Sequence, residues 1–496
     1  MNFPFGKAPL VIVLVALASA LALALAGGFT GPSERRPDLV FATFVKEHAD
    51  AYRPAIAEFE KQHNVKIQVQ VVDQAALQGR LQASMQAGAD VPDMVELMFG
   101  TLGVFTKGPV EDVGFVDLTD RVAAAELKDK LVTSRFSMWS DRGRIFALPH
   151  DVHPVMLIYR RDLIEDLKID VNKLTTWDEF CRVGREFVTK DLTGDGVADR
   201  YMIDLPPDGS DSLRLLLLQR GVQMFDSAGQ VAFDNERTVD TICWYVKQTK
   251  GAEKISVSCG WGQTLARAMI DGRCLFYVCP DWRTMQIQAD IASLRGKLAV
   301  MPLPAWEAGG IQTSTWGGTG MAITKSCAKQ ELAWELAMHL YYDPSQLAKR
   351  FAATNILPPL KAAWSRPEFD EPRPFFSNQP LGRLYADLAP QVPAEIYTAY
   401  SNQAVSRLSE AFTNTALYFE EHGDAGMREF ARAELKRCAD QVRAEMSRNR
   451  FLNTAATQPW HGRLAHATRR ASGSWRKAAG RRERMGEAPM PRKAGS

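Results

Sequence analysis

Apolar and polar positions repeat in two rhythms along this chain, and the rhythms predict its elements. Residues 38–45 (DLVFATFV) form an almost unbroken apolar run of strand length, which reads as a buried strand. Over 49–63, Tyr52, Ile56 and Phe59 recur at the spacing of a helix with one apolar face, with Pro54 near its start. Residues 65–72 (VKIQVQVV) alternate, the period of a half-buried strand. Helical spacing returns over 74–87 through Leu77, Leu81 and Met85; a Gly- and Asp-containing break follows, and 94–98 predicts a third strand. Strand, helix, strand, helix, strand is the order of a parallel sheet with helices on its faces. Ligands of such sheets bind beyond the carboxyl ends of the strands, where Glu96 and Phe99 fall. Taken alone, Glu96 also reads as a solvated strand-end carboxylate and Phe99 as core packing.

Further along, 143–153 (GRIFALPHDVH) reads as a turn, a short strand and a Pro-containing loop, and 155–159 as another apolar strand. Thr176 can cap a helix, with Glu179 three residues on completing a capping box. Residues 330–342 predict an amphipathic helix through Leu332, Leu336 and Leu340; 401–418 and 427–446 predict two more. No repeat of fixed period is present.

Composition narrows the class. With 496 residues, the chain has room for about three domains, or two large lobes plus extras. A hydrophobic share of 46% supports a sizeable core and excludes a wholly disordered chain. The formal net charge of +2 hides an asymmetry: 447–496 carry 12 Lys and Arg against 2 Asp and Glu, leaving 48 basic and 56 acidic residues in 1–446. A mildly acidic body argues against nucleic-acid binding. The tail, rich in Arg, Ala and Gly, reads as disordered; it is either dispensable or a nonspecific contact for anionic surfaces.

Residues 10–26 are an unbroken run of Leu, Val, Ile, Ala and one Ser, flanked by Lys7 and ending in Ala24-Leu25-Ala26. That pattern predicts a cleaved export signal or an uncleaved membrane anchor within 1–37, and an exported body. Seven cysteines without a CxxC pair remove the zinc-ribbon and thioredoxin readings. They read as buried thiols, and the odd count leaves at least one unpaired within a monomer.

Several segments, in order, resemble the family-1 extracellular solute-binding proteins that deliver sugars to ABC importers. Val91-Pro92-Asp93-Met94-Val95 is a turn into a strand of that kind. Gly143 to Tyr159, with its Leu148-Pro149-His150-Asp151 step, is similar to the family's Gly-x-x-Tyr/Phe-x-x-Pro region, and Thr176-Trp177-Asp178-Glu179-Phe180 to its Thr-Trp-Asp-Glu-Phe helix start. Asp281-Trp282 and Gly317-Gly318-Thr319-Gly320 stand where the family has a Trp and a Gly-Gly strand. The lipid-attachment Cys of many members is missing. The resemblance spans about 38–446. It implies an α/β, two-lobed periplasmic-binding-protein-like fold (type II), each lobe a mainly parallel sheet flanked by helices. Lobe 1 is then 38–153 with 313–357, and lobe 2 is 154–312 with 358–446. It further implies a monomer outside the cytoplasm whose lobes close on a soluble carbohydrate, ABC permease subunits as partners, and no cofactor.

A sugar site needs flat rings for C–H faces and planar polar groups for hydroxyls. Trp282 and Trp316 sit in loops and suit the first role; Gly317 adjoins them. Glu96, His150, Asp151 and Asp281 suit the second. Trp177, Trp244 and Trp334 fall in helical patterns and read as core, whereas Trp139 and Trp261 stay undecided. Asp191, Thr193, Asp195 and Asp199 fall at positions 1, 3, 5 and 9 of a calcium-loop pattern with Gly196 at 6, but Met202 replaces the bidentate Glu at 12. The alternative is a tight Asx-type loop. Two other functions stay open: an exported hydrolase using Asp281 with Glu96 or Asp151, and a ligand sensor of the same fold. HExxH, GxSxG and P-loop patterns are absent.

Overall fold

The computed structural model describes residues 37–449, apart from 192, 197 and 209, together with 451. The apolar run of 10–26 and nearly all of the basic tail lie outside the described residues. Among the described residues no helix is long and apolar enough to cross a membrane.

Ten strands build two five-stranded sheets: β1 (Leu39–Thr43), β2 (Ile67–Val71), β3 (Met94–Met98), β4 (Leu148–Pro149), β5 (Val155–Arg160), β6 (Tyr201–Asp204), β7 (Ser256–Val257), β8 (Cys274–Pro280), β9 (Leu298–Pro302) and β10 (Thr319–Ile323). The first sheet has the order β2-β1-β3-β10-β4 and the second β9-β5-β8-β6-β7. In the first, β1 pairs parallel with β2 and β3, as strand–helix–strand connections require. Strands β10 and β4 then add antiparallel. The second sheet is likewise mixed: β8–β6 and β6–β7 are parallel, β8–β5 and β5–β9 antiparallel. The mainly parallel expectation is thus qualified. In the first sheet, the antiparallel strand β10 is where the chain returns from the other lobe, a long-range pairing that local periodicity cannot register.

Helix α1 (Lys46–His63) starts earlier than the apolar spacing suggested and holds Pro54 in its interior. Its first turn, Lys46-Glu47-His48, is polar, so the pattern could not show it, yet His48 is buried. The apolar face of α1 buries Tyr52, Ile56 and Phe59 in the same core as Leu39, Phe41 and Met94. Fully burying one such side chain stabilises the fold by roughly 1.5–3 kcal/mol. Helix α2 (Gln74–Ala87) matches the predicted span. Asp73 caps it by accepting from the backbone N–H of Ala75 and Ala76.

Strands β5 and β8 are buried along their whole length, as strands covered on both faces must be. Val155, Leu157 and Tyr159 share one core with Trp177, Tyr245, Phe412 and Leu435; Met156 and Ile158 share the other with Met269 and Ile287. The antiparallel pair α3 (Ser401–His422) and α4 (Met427–Ser447) closes the first of these cores, tied to the helix Glu236–Thr249 by Arg428 and Arg432 on Glu236. The segment 358–392 grips both lobes. Pro359 O accepts from Val132 N at 2.9 Å, and the Gln379 amide pairs with both backbone groups of Val300 on edge strand β9.

Candidate ligand site at the lobe crossovers

Two stretches carry the chain between the sheets near one another: 150–155, joining β4 to β5, and 313–319, running into β10. Pro154 and Thr315 form an antiparallel bridge between them. Arg135, 1% exposed, holds both stretches. Its Nε donates to Asp151 O at 3.1 Å, Nη1 to Thr315 Oγ1 at 2.9 Å and Nη2 to Gly317 O at 3.1 Å. Gly317 and Gly318 have φ of +101° and +149°. A Cβ on Gly318 would stand 2.7 Å from Arg135 Nη2, so only glycine fits this close approach.

Between the crossovers lies a buried Asp151–His153–Asp281 bridge. His153 Nε2 is 3.0 Å from Asp151 Oδ2 and Nδ1 is 2.6 Å from Asp281 Oδ1. Burial alone would lower the His153 pKa, but the two flanking carboxylates outweigh it and raise it to about 9. His153 is therefore an imidazolium at neutral pH and donates from both nitrogens. Asp151 also accepts from Thr319 N and Oγ1, both at 2.9 Å, and from His150 Nδ1 at 3.2 Å. Burial would raise its carboxyl, yet His153 and His150 hold it well below the usual carboxylate range. His150 itself is pushed down to about 3 by burial and by Arg350, so it is neutral. Asp281 accepts from Trp282 N and Leu357 N at 2.7 Å each.

These contacts place part of the expected site in the interior. Asp151, Asp281 and His150 are at most 1% exposed, and the hydrogen bonds of the two carboxylates tie the crossovers together. Glu96 is likewise fully buried, inside the first sheet's core. It accepts from Thr43 Oγ1 at 2.5 Å, Tyr52 OH at 2.6 Å and Tyr341 OH at 2.5 Å, with His48 Nδ1 at 3.3 Å. Its middle position on β3 places it below the strand end. His48, Glu96 and His150 bring ligand-type atoms within 4.8 Å of one another. Protein donors already occupy the carboxylate, however, which makes this a hydrogen-bonded core. The carboxylates considered for a hydrolase are enclosed as well: the His153 imidazole lies between Asp151 and Asp281, and Glu96 is fully buried.

The calcium pattern resolves into a turn. Asp191 accepts from the backbone N–H of Thr193, Gly194 and Gly196, and Asp199 accepts from Thr193 N and Oγ1. Among the described residues, Asp191, Asp195 and Asp199 do not converge as a metal-holding group.

The aromatic expectations fare differently. Trp282 Nε1 donates to Trp316 O at 2.9 Å, and the two rings meet edge to face at 6.1 Å. Trp316 in turn meets Trp261 edge to face at 5.8 Å. Trp261 is 56% exposed, so this aromatic wall opens to solvent. The Arg283 guanidinium stacks over Trp261 at 4.0 Å and fixes its plane. Asp211, half-exposed, accepts from Trp316 Nε1 at 3.3 Å. From the first lobe, Phe99 follows the end of β3 and donates its N–H to Gly318 O at 2.9 Å; Arg214 of the second lobe covers its ring at 5.1 Å. Sequence reasoning did not single out Asp211, Arg214 or Arg283, which lie on helices without a distinctive motif. Trp261 carried a signal, since it stands between Gly260 and Gly262. Trp139 is core, fully buried against Gly320.

Comparison with known proteins settles the class. A family model described as bacterial extracellular solute-binding protein matches residues 54–374. The chain belongs to that family. This solute-binding protein is 22% identical over 398 residues to an arabinooligosaccharide-binding protein of Halalkalibacterium halodurans, across 78% of this chain and 86% of the relative. It is also 22% identical over 351 residues to a lactose-binding protein of Rhizobium radiobacter, across 68% of this chain and 78% of the relative. Its structure is similar to that of the sugar-binding protein MalE from Xanthomonas citri, with a TM-score of 0.67 at 19% identity, covering 83% of this chain and 99% of the other. The fold is accordingly the two-lobed one of periplasmic binding proteins.

Proposed function

We propose that this solute-binding protein captures a saccharide at the lobe crossovers and presents it to the permease subunits of an ABC importer, outside the cytoplasm. The observation that carries the reading is the Trp261–Trp316–Trp282 wall, with a half-exposed Asp211 beside it. Flat rings take the C–H faces of a sugar, and a carboxylate accepts from its hydroxyls. Gly317 lets the crossover backbone approach the ligand. The names of the relatives support a sugar or oligosaccharide as the solute. No bond is made or broken on this reading; the buried carboxylates Asp151 and Asp281 serve to hold the crossovers together. Residues 10–26 serve as the export signal or anchor, and the lobes divide as 38–153 with 313–357 and 154–312 with 358–446.

A thermal-shift screen of mono- and oligosaccharides tests this, since a ligand that binds only the folded state raises its apparent stability. For the saccharide that shifts the protein, Trp261→Ala and Trp282→Ala should each weaken binding by about tenfold or more, the worth of one lost ring contact. Both variants should stay folded. Unchanged affinity in both, or cleavage of the bound saccharide by purified protein, would sink the proposal.

A further inference from the structure

All seven cysteines are buried thiols, but two of them are not independent. Cys259 Sγ lies 3.3 Å from Cys274 Sγ, closer than two unbonded sulfurs ordinarily rest. Their positions matter. Cys259 follows β7 and is anchored there by its N–H, which donates to Asp204 Oδ1 at 2.8 Å. Two residues later comes Trp261, between Gly260 and Gly262 at φ of +69° and +56°. Cys274 opens β8, whose far end delivers Asp281 and Trp282. A bond between these sulfurs would join the base of the Trp261 loop to the strand that carries the rest of the wall.

We propose that Cys259 and Cys274 form a disulfide in the exported protein, and that this bond fixes Trp261 as a platform for the solute. The bond itself rests on export, and the platform role rests on the saccharide reading above. The chemistry balances by exchange. One cysteine thiolate attacks the disulfide of an extracytoplasmic thiol oxidant and releases one of its sulfurs. The second cysteine then attacks the mixed disulfide, so one protein S–S bond forms, two thiol protons are lost, and the oxidant leaves as a dithiol. The step belongs to folding. In the finished fold both sulfurs are buried, and burial raises the Cys274 thiol well above its ordinary range, which leaves little reactive thiolate. The closed loop is short, its two cysteines 15 positions apart in sequence, and contains one helix, Gln263–Asp271.

The test is a thiol count on full-length protein recovered from the extracytoplasmic fraction, denatured without reductant and alkylated. Five labelled cysteines and a peptide linking Cys259 to Cys274, two hydrogens lighter than its reduced parts, are expected. Seven labelled cysteines, or a link between any other pair, would overturn the disulfide, and neither result bears on whether a sugar binds. For the platform role, Cys259→Ser with Cys274→Ser, and reduced wild-type protein as a control on folding, should melt about 5 °C lower. They should also bind the screened saccharide at least about threefold more weakly, because a loosened Trp261 must be ordered on binding. An intact cross-link whose loss leaves saccharide affinity unchanged overturns the platform role while leaving the bond.

Discussion

His153 shows how one residue can be read in two ways until its surroundings are known. In the sequence it is the second histidine of a His-Asp-Val-His loop. In the fold it is a cation held between Asp151 and Asp281; His150 shares the same Asp151 oxygen, and Arg135 meets the other one. Its folded pKa of about 9 exceeds the ordinary value of 6.5, so the stability it adds is full below about pH 6.5 and is lost as pH rises through 9. The wild-type Tm should therefore fall between pH 7 and pH 10 more steeply than that of His153→Gln. Parallel pH profiles would remove this account. Glu96 makes the opposite case, a buried carboxylate that accepts from Thr43, Tyr52 and Tyr341. Glu96→Gln keeps the shape but turns an N–H₂ toward groups that now donate, costing about 2–3 kcal/mol in urea unfolding. Saccharide affinity in the refolded variant should not change; a loss of affinity with full stability would return Glu96 to the ligand site.

At the scale of elements, periodicity performed well where one face of a helix or strand meets a core. The strand Met94–Met98 and the helix Gln74–Ala87 lie where the spacing put them. Local chemistry was legible in part. Thr176 caps the helix Trp177–Val183 by accepting from Glu179 N at 3.3 Å, as the capping pattern predicts. The reciprocal half is missing, because the Glu179 carboxylate pairs with Arg182 instead. Thr176→Ala should accordingly cost about 1 kcal/mol, seen as a lower urea midpoint with an unchanged slope. A neutral result would mean that the tertiary contacts of Trp177 alone hold that turn.

The whole molecule depends on two crossovers running close together. Gly318 permits that approach, and Gly318→Ala forces a methyl against Arg135 and Met138. The expected cost is at least about 1–3 kcal/mol by denaturant unfolding, with weaker saccharide binding as the Trp316–Gly317 backbone shifts. Because Phe99 comes from one lobe and Trp261 from the other, binding should also draw the lobes together. A smaller radius of gyration in solution scattering with the saccharide present is the outcome to look for. An identical radius in both states would argue for capture without closure.

By itself the sequence determined the α/β class, the first three strands with the helices between them, several later helices, and Trp282 and Trp316 as loop tryptophans, because periodicity and flanking turn residues are written locally. It also held the order of motifs that marks the family. Only the tertiary structure decided which carboxylates face solvent. Glu96, Asp151 and Asp281 have ordinary local contexts, and their burial draws on partners as far as 245, 168 and 128 residues away. The same holds for the antiparallel strand β10 and for Cys259 meeting Cys274 across a helix. Such contacts form when separate segments share one core, and local periodicity does not register which side chains then meet.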